Sequence, residues 1–116
     1  MKKDKPTSDS ERDAIRDIRA RLLRKIVSHA REEGDTATSI PGLRLYRRNE
    51  PTACATATYQ PSFIVFVQGR KRITLGKTVL LCNGSTFLLT SIDLPVVSQV
   101  LDATPRAPIV GLILGL

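Results

Sequence analysis

The basic segment GRKRITLGKT, residues 69–78, places three adjacent cations before a Gly-Lys-Thr, which is how a phosphate-binding loop ends. A Walker-type loop has four residues between its first glycine and that ending, because the intervening backbone amides wrap the phosphates before a helix starts. Here six residues separate Gly69 from Gly76, and the VLLCNG that follows is typical of a strand and a turn. We therefore predict that Gly76 and Lys77 form a hairpin turn and bind no phosphate.

Residues suited to metal binding or acid–base catalysis are few. His29 is the single histidine, and Cys54 and Cys82 lie far from CxxC spacing. Four carboxylates occur in the strand-rich region: Asp35, Glu50, Asp93 and Asp102. We therefore expect no metal site, no cofactor and no catalysis by this chain alone. Both thiols are expected to be buried and unpaired, as in a cytoplasmic protein.

The net charge of +7 invites comparison with nucleic-acid-binding proteins, but the excess is spread over both halves of the chain. Folds that bind single strands also need aromatic platforms, and only five aromatic residues are present. Phe63 and Phe66 are three apart on a predicted strand, so they point to opposite sides. We expect the cations of the segment to lie on a solvated hairpin, and a small basic nucleic-acid binder remains as an alternative.

The remaining possibility is a ligand-binding cavity, because small barrels and sandwiches often enclose an apolar pocket that contains a few polar groups. Polar or amphipathic side chains on or beside predicted strands could serve this purpose. The candidate ligand-binding residues are Tyr46, Arg48, Tyr59 and Gln68. The alternative, that these are ordinary residues at a rim, stays open.

One amphipathic helix must precede the strands. Residues 1–9 are polar and contain a proline, which predicts a flexible lead-in, and residues 10–34 are assigned to the helix. Ser8 with Glu11 has capping-box spacing, and Gly34 is a natural helix stop. Apolar residues recur at helical steps along one face: Ile15, Ile18, Leu22, Leu23, Ile26, Val27 and Ala30.

After Gly34, short runs rich in β-branched and apolar residues alternate with glycine, proline and asparagine. We predict strands at Leu43–Arg48, Ser62–Gln68, Arg70–Leu75, Thr78–Cys82, Thr86–Thr90, Val96–Leu101 and Ile109–Leu114. This spacing, in a chain of 116 residues, indicates one mainly β domain, an antiparallel sandwich or barrel. The longest uninterrupted apolar stretch, residues 109–116, is too short to span a bilayer, so no membrane association is expected.

The order of several short motifs resembles the N-terminal domain of AraC-type transcription regulators, over roughly residues 20–116. The carrying residues are Gly34, Thr36, Thr38, Ile40, Pro41, Gly42, Leu43, Tyr46, Arg48, Pro51, Tyr59, Gln60, Pro61, Ser62, Gln68, Gly69, Arg70, Lys71, Leu75, Gly76, Phe87, Leu88, Asp93, Leu94, Pro95 and Pro108. The resemblance implies that residues 35–116 form a cupin-like, jelly-roll type antiparallel β-barrel.

The resemblance also implies a function. Such a domain senses a small-molecule effector and often forms a homodimer, while DNA is bound by a separate C-terminal helix-turn-helix region, which is expected to be missing from this chain. The barrel itself is also expected to be truncated at its C-terminal end. The metal-holding histidines of cupin enzymes are absent, so enzyme activity does not carry over. A stand-alone, metal-free cupin-like enzyme or small-molecule-binding protein is the alternative.

Overall fold

A computed structural model describes residues 9–116, and one α-helix, α1 (Asp9–His29), opens the described part. Residues 1–8, which include most of the predicted lead-in and Ser8 of the predicted capping box, lie outside it. Among the described residues, no helix combines the length and the apolar character needed to cross a membrane.

The helix ends five residues before the predicted stop at Gly34. Side chains donate hydrogen bonds to carbonyl groups at this end, which the helix itself leaves without partners. The Arg31 guanidinium donates to the Ser28 carbonyl at 3.3 Å, and the Arg47 guanidinium donates to the Ala30 carbonyl at 3.0 Å. Gly34 instead begins the first strand, with a φ of 113°. The C-terminal end of α1 is thus fixed to the sheet through Arg47.

Nine strands follow the helix, and all seven predicted strands are among them. The strands are β1 (Gly34–Ala37), β2 (Leu43–Arg48), β3 (Ala55–Tyr59), β4 (Ser62–Gln68), β5 (Arg70–Leu75), β6 (Thr78–Cys82), β7 (Phe87–Thr90), β8 (Leu94–Asp102) and β9 (Ile109–Gly115). The two strands that the sequence did not predict are β1 and β3. Gly76 and Lys77 form the two-residue turn between β5 and β6, as predicted.

The strands form two antiparallel sheets, one in the order β1-β2-β9-β4-β7 and the other in the order β3-β8-β5-β6. From β2 onward the pairing is nested: β2 with β9, β3 with β8, β4 with β7 and β5 with β6. This nested pairing is that of a double-sheet jelly roll. The predicted mainly β fold with one N-terminal helix is therefore confirmed. Within residues 9–116 no strand ladder joins the two sheets, so this part of the chain forms a sandwich rather than a closed barrel.

Two apolar clusters lie on the two faces of the first sheet. The inner cluster fills the space between the sheets and includes Ile64, Phe66 and Ile73. The outer cluster packs Ile26 of α1, and Ala30 directly after the helix, onto the other face of the same sheet. Strand β4 contributes to both clusters, so its apolar run FIVFV is covered on both faces of the sheet.

Gly69 occupies the tightest point in the turn between β4 and β5. Its φ is 90°, and a Cβ atom built there would lie 2.6 Å from the Ile109 Cβ and 2.9 Å from the Asp102 carbonyl oxygen. Gly76 also has a positive φ, 57°, but a Cβ there meets no atom within 4 Å. Gly69 is therefore constrained by both conformation and space, whereas Gly76 is constrained by conformation alone.

Replacing Gly69 with alanine is expected to destabilise the domain by about 3 kcal/mol or more, because steric overlap adds to an unfavourable φ. Gly76→Ala is the matched control and should cost about 1 kcal/mol, since only the φ is unfavourable. The free energy of unfolding in urea measures both. Equal losses in the two variants would contradict the close approach of Gly69 to β9.

Candidate functional site

An open cavity of about 580 Å³ lies between the two sheets. Three of the four predicted ligand-binding residues, Tyr46, Arg48 and Tyr59, line it. The fourth, Gln68, is not among the lining residues, and its Nε2 donates to the Pro108 carbonyl at 2.9 Å. The apolar part of the wall comes from both sheets: Ala53, Ala55, Ala57, Ile64, Phe66 and Ile113.

Strand β2 brings Tyr46 and Arg48 to the cavity because alternate residues of a strand share one face. Both side chains line the cavity, together with Arg44 of the same strand. Leu45, between them, belongs to the cluster beneath α1. Strand β2 thus contacts the cavity on one face and the helix on the other.

Lys71 also lines the cavity, which the sequence analysis did not predict. The expectation that the cations of residues 70–72 face solvent holds for Arg70 and Arg72 but is wrong for Lys71, whose exposed fraction is 9%. Parity on β5 gives the reason, because Lys71 shares the inward face with Ile73. The alternation of RITL indicates that Ile73 points inward, and the same alternation could have identified Lys71, two residues earlier.

Lys71 and Arg48 both contact the ring of Tyr46. The Lys71 Nζ lies 4.6 Å and the Arg48 Cζ 4.8 Å from the centre of that ring. Lys71 also lies 5.6 Å from the centre of the Tyr59 ring, and it donates to the Tyr46 hydroxyl at 3.4 Å. Aromatic faces attract cations most strongly where water is excluded. Two cations are therefore held at one aromatic ring inside the cavity.

Neither of these cations has a carboxylate partner among residues 9–116. The ion pairs of that region join Arg44 to Asp35 at 2.9 Å, and Arg70 to Asp102. Asp35 and Arg44 both line the cavity, and they largely neutralise each other. The exposed Asp93 also lines the cavity but forms no ion pair with either cation, so the lining holds three cations and two carboxylates, and the cations without an ion pair are the two beside Tyr46.

Burial changes the acidity of the groups around these two cations. Burial, assisted by the neighbouring Arg48 charge, lowers the pKa of Lys71 from 10.5 to about 8, while Asp35 opposes that change. Burial raises the pKa of Tyr46 to about 12, and it also raises the pKa of Tyr59. Lys71 is thus mainly protonated at neutral pH, and both tyrosines carry their hydroxyl protons there.

The two cysteines differ in their surroundings. Cys82 is 1% exposed, as predicted, and burial raises the pKa of its thiol although the Lys71 charge opposes this. The expectation of a second buried thiol is wrong, because Cys54 is exposed and its Sγ donates to Gln99 Oε1 at 3.4 Å. Both thiols are free. Across residues 9–116 no three histidine, cysteine or acidic side chains come together as a metal site would require.

The geometry defines a small antiparallel jelly roll with an open interior cavity and an amphipathic helix packed on one sheet. Residues 39–116 match the family model for the AraC-type transcriptional regulator N-terminus, so the chain belongs to that family. The match confirms the resemblance seen in the sequence, although it begins at residue 39 rather than residue 20. No curated protein and no solved structure matches the chain.

The buried charge of Lys71 is expected to make stability rise with pH. Between about pH 8 and pH 9 the unfolded chain holds a proton on Lys71 that the native protein releases, so the free energy of unfolding should increase by about 1 kcal/mol. Cys82 already opposes part of this contribution as pH approaches 9, because its unfolded thiol ionises near the ordinary pKa of 9.0 while the folded thiol keeps its proton. The tyrosines act in the same opposing direction at higher pH, because burial raises their pKa values.

Lys71→Met should remove this increase, whereas Arg72→Met, at an exposed neighbouring position, should retain it. Urea unfolding at a series of pH values compares the two variants with the parent protein. A parent protein with the same pH dependence as Lys71→Met would show that Lys71 is not desolvated.

Proposed function

We propose that this chain is the effector-sensing and dimerising domain of an AraC-type regulator. The observation that carries the proposal is the open cavity between the sheets, whose volume lies in the range typical of small-molecule sites. Its wall combines apolar side chains with a few polar groups that converge on Tyr46, which is how such sites fix the orientation of a ligand.

Strand β2 provides a route from the cavity to the helix. Its inward residues Tyr46 and Arg48 would touch an effector, while its outward residues hold α1. Leu45 packs in the cluster with Ile26, and Arg47 donates to the carbonyl of Ala30. A ligand that shifts β2 would therefore change the packing of α1, and an effector that favours one packing shifts the population towards it.

The partner that we propose for α1 and its sheet is a second copy of the chain. Ile15 and Ile18 remain 49% and 57% exposed on the apolar face of the helix. Phe87 and Leu89 of β7, on the same side of the sheet as α1, are 64% and 62% exposed. Apolar residues in this number beside one helix are typical of an interaction surface, and a two-fold dimer would bury the same residues twice.

In this proposal the domain has no catalytic role and acts in the cytoplasm. DNA contact belongs to a separate domain of the regulator, because the family is defined as the N-terminal part of transcription regulators. The positions of Arg70 and Lys71 support the assignment of DNA binding to a separate domain. The exposed Arg70 is paired with Asp102, and the buried Lys71 faces the interior, so neither is presented to a phosphate backbone.

Filling the cavity should abolish effector binding. In a thermal-unfolding screen of small organic compounds, a ligand present at about 100 times its Kd is expected to raise the Tm of the parent protein by about 10 °C. Ala57→Phe, whose side chain lies on the inward face of β3, should remove these shifts. Thr56→Phe, on the exposed face of the same strand, should retain them. Shifts that survive in Ala57→Phe would place binding elsewhere.

Polar substitution on the exposed helix face should weaken self-association. The double variant Ile15→Gln with Ile18→Gln is expected to raise the dimer dissociation constant at least tenfold, because it removes apolar area from the proposed interface. Asp13→Gln with Asp17→Gln, on the opposite face of α1, is the matched control. Sedimentation equilibrium measures each constant. A parent protein that stays monomeric at all accessible concentrations would overturn the dimer proposal.

A further inference from the structure

The cations of the cavity differ in whether they have an ion-pair partner, and this difference indicates the class of ligand. Of its cationic residues, Arg44 is paired with Asp35, whereas Arg48 and Lys71 have no ion-pair partner among residues 9–116. The ammonium group of Lys71 has three N–H donors, and a long hydrogen bond to the Tyr46 hydroxyl takes one of them. Arg48 donates from Nη1 to the carbonyl of Arg47 and has further N–H donors on its guanidinium.

Holding these two cations together has a cost that Asp35 and the two tyrosine rings offset only in part, because the pKa of Lys71 remains lowered. Like charges at one aromatic ring repel each other, and the repulsion is strong where water is partly excluded. Lys71 could avoid the cost by extending to solvent, as lysine side chains normally do, but it is instead 91% buried against the rings of Tyr46 and Tyr59. A ligand with one negative charge would relieve the repulsion.

We propose that the cavity binds the carboxylate of a small organic acid between Arg48 and Lys71, with the apolar body of the acid against the alanine-rich wall. This inference rests on the proposed effector-sensing function and specifies its ligand class. A carboxylate matches the fork of N–H donors on a guanidinium and can accept from an ammonium at the same time. The Tyr46 hydroxyl is close enough to Lys71 to act as a further donor to the same group.

The remaining walls favour an acid with an apolar body over an inorganic anion. Ala53, Ala55 and Ala57 leave space beside β3, and Ile64, Phe66 and Ile113 form the opposite wall. An inorganic anion would leave this apolar surface in contact with water, whereas an aliphatic or aromatic acid would cover it. Neutral molecules of the same shape would cover the wall but leave both cations without a counter-charge.

Binding of an acid should depend on the protonation of Lys71. The charged or titratable groups that face Lys71 are Arg48 and Tyr46 on β2, Tyr59 on β3, Cys82 on β6 and Asp35 on β1. The pKa values of both tyrosines and of Cys82 are raised, so Lys71 loses its proton before these three groups as pH rises through about 8. Affinity for the acid should fall over that interval.

The protein carries its own probe for this experiment. Its only two tyrosines, Tyr46 and Tyr59, line the cavity, and it contains no tryptophan, so intrinsic emission reports on the site alone. The ligands are aliphatic and aromatic monocarboxylates, such as hexanoate and benzoate, each compared with its neutral primary amide. Titrations follow tyrosine emission, and calorimetry checks the dissociation constants independently.

The expected result is that at least one acid binds at least tenfold more tightly than its amide. Lys71→Met and Arg48→Met should each weaken that acid at least tenfold and leave the amide unchanged, and Arg72→Met should leave both unchanged. In the parent protein, but not in Lys71→Met, affinity for the acid should fall as pH rises through about 8. Lys71→Gln is a second variant in case Lys71→Met does not fold.

Two different failures are distinguishable. If amides or other neutral compounds bind as tightly as the acids, or if both cation variants keep full affinity for the acid, the carboxylate inference is wrong while the effector-sensing function stands. If no acid, amide or library compound changes tyrosine emission or thermal stability, the effector-sensing function itself is overturned, and the carboxylate inference with it.

Discussion

Strand β2 is built into two cores at once, and this constraint determines the arrangement of the rest of the domain. Its inward side chains form one wall of the cavity, and its outward side chains hold the C-terminal half of α1. A strand in this position cannot slip by one residue, because every apolar and every charged side chain would then change faces. The location of the cavity, the end of the helix and the placement of Arg48 beside Tyr46 all follow from that single register, which the ladder with β9 fixes.

The pairing of Lys71 and Arg48 at one aromatic ring is hard to explain as a stabilising device. A buried cation without a carboxylate partner costs stability, and an apolar side chain of similar length would pack the same space at lower cost. Proteins often give up stability at functional positions, where local rules of folding are broken for the sake of a ligand. The rest of the interior follows those rules: within residues 9–116 no buried side-chain polar atom lacks a hydrogen-bond partner. Arg48 and Lys71, which have no ion-pair partner within the same range, both lie at the cavity.

Periodicity in the sequence was sufficient to predict most of the fold but not all of the site. RITL identifies its strand because a half-buried strand alternates apolar with other residues, whereas FIVFV identifies its strand because a strand covered on both faces is apolar at every position. Strands β1 and β3 were missed because GDTA and ATATY consist largely of small or polar residues, and their pairing with β2 and β8 makes them strands. Pro95 resembles a turn signal but lies in β8, at a point where that strand pairs only with β3. Residue type and position were enough to select Tyr46, Arg48 and Tyr59 as candidates, and the alternation of β5 could have added Lys71. The bond from Gln68 to the Pro108 carbonyl depends on a tertiary contact that the sequence does not reveal.

The nested order of the strands also governs how the protein can be made. Strand β9 occupies the centre of the first sheet, between β2 and β4, yet it is the last of the nine to be synthesised. Until β9 leaves the ribosome, the strand edges of β2 and β4 that will pair with it have no hydrogen-bonding partner. Both strands carry apolar side chains beside these open edges. Edges of this kind pair readily with other chains, and contacts so distant in sequence form slowly. Newly made copies are therefore expected to aggregate most readily before β9 is in place, and the amount of folded protein in the cell should depend on chaperone capacity as well as on transcription of its gene.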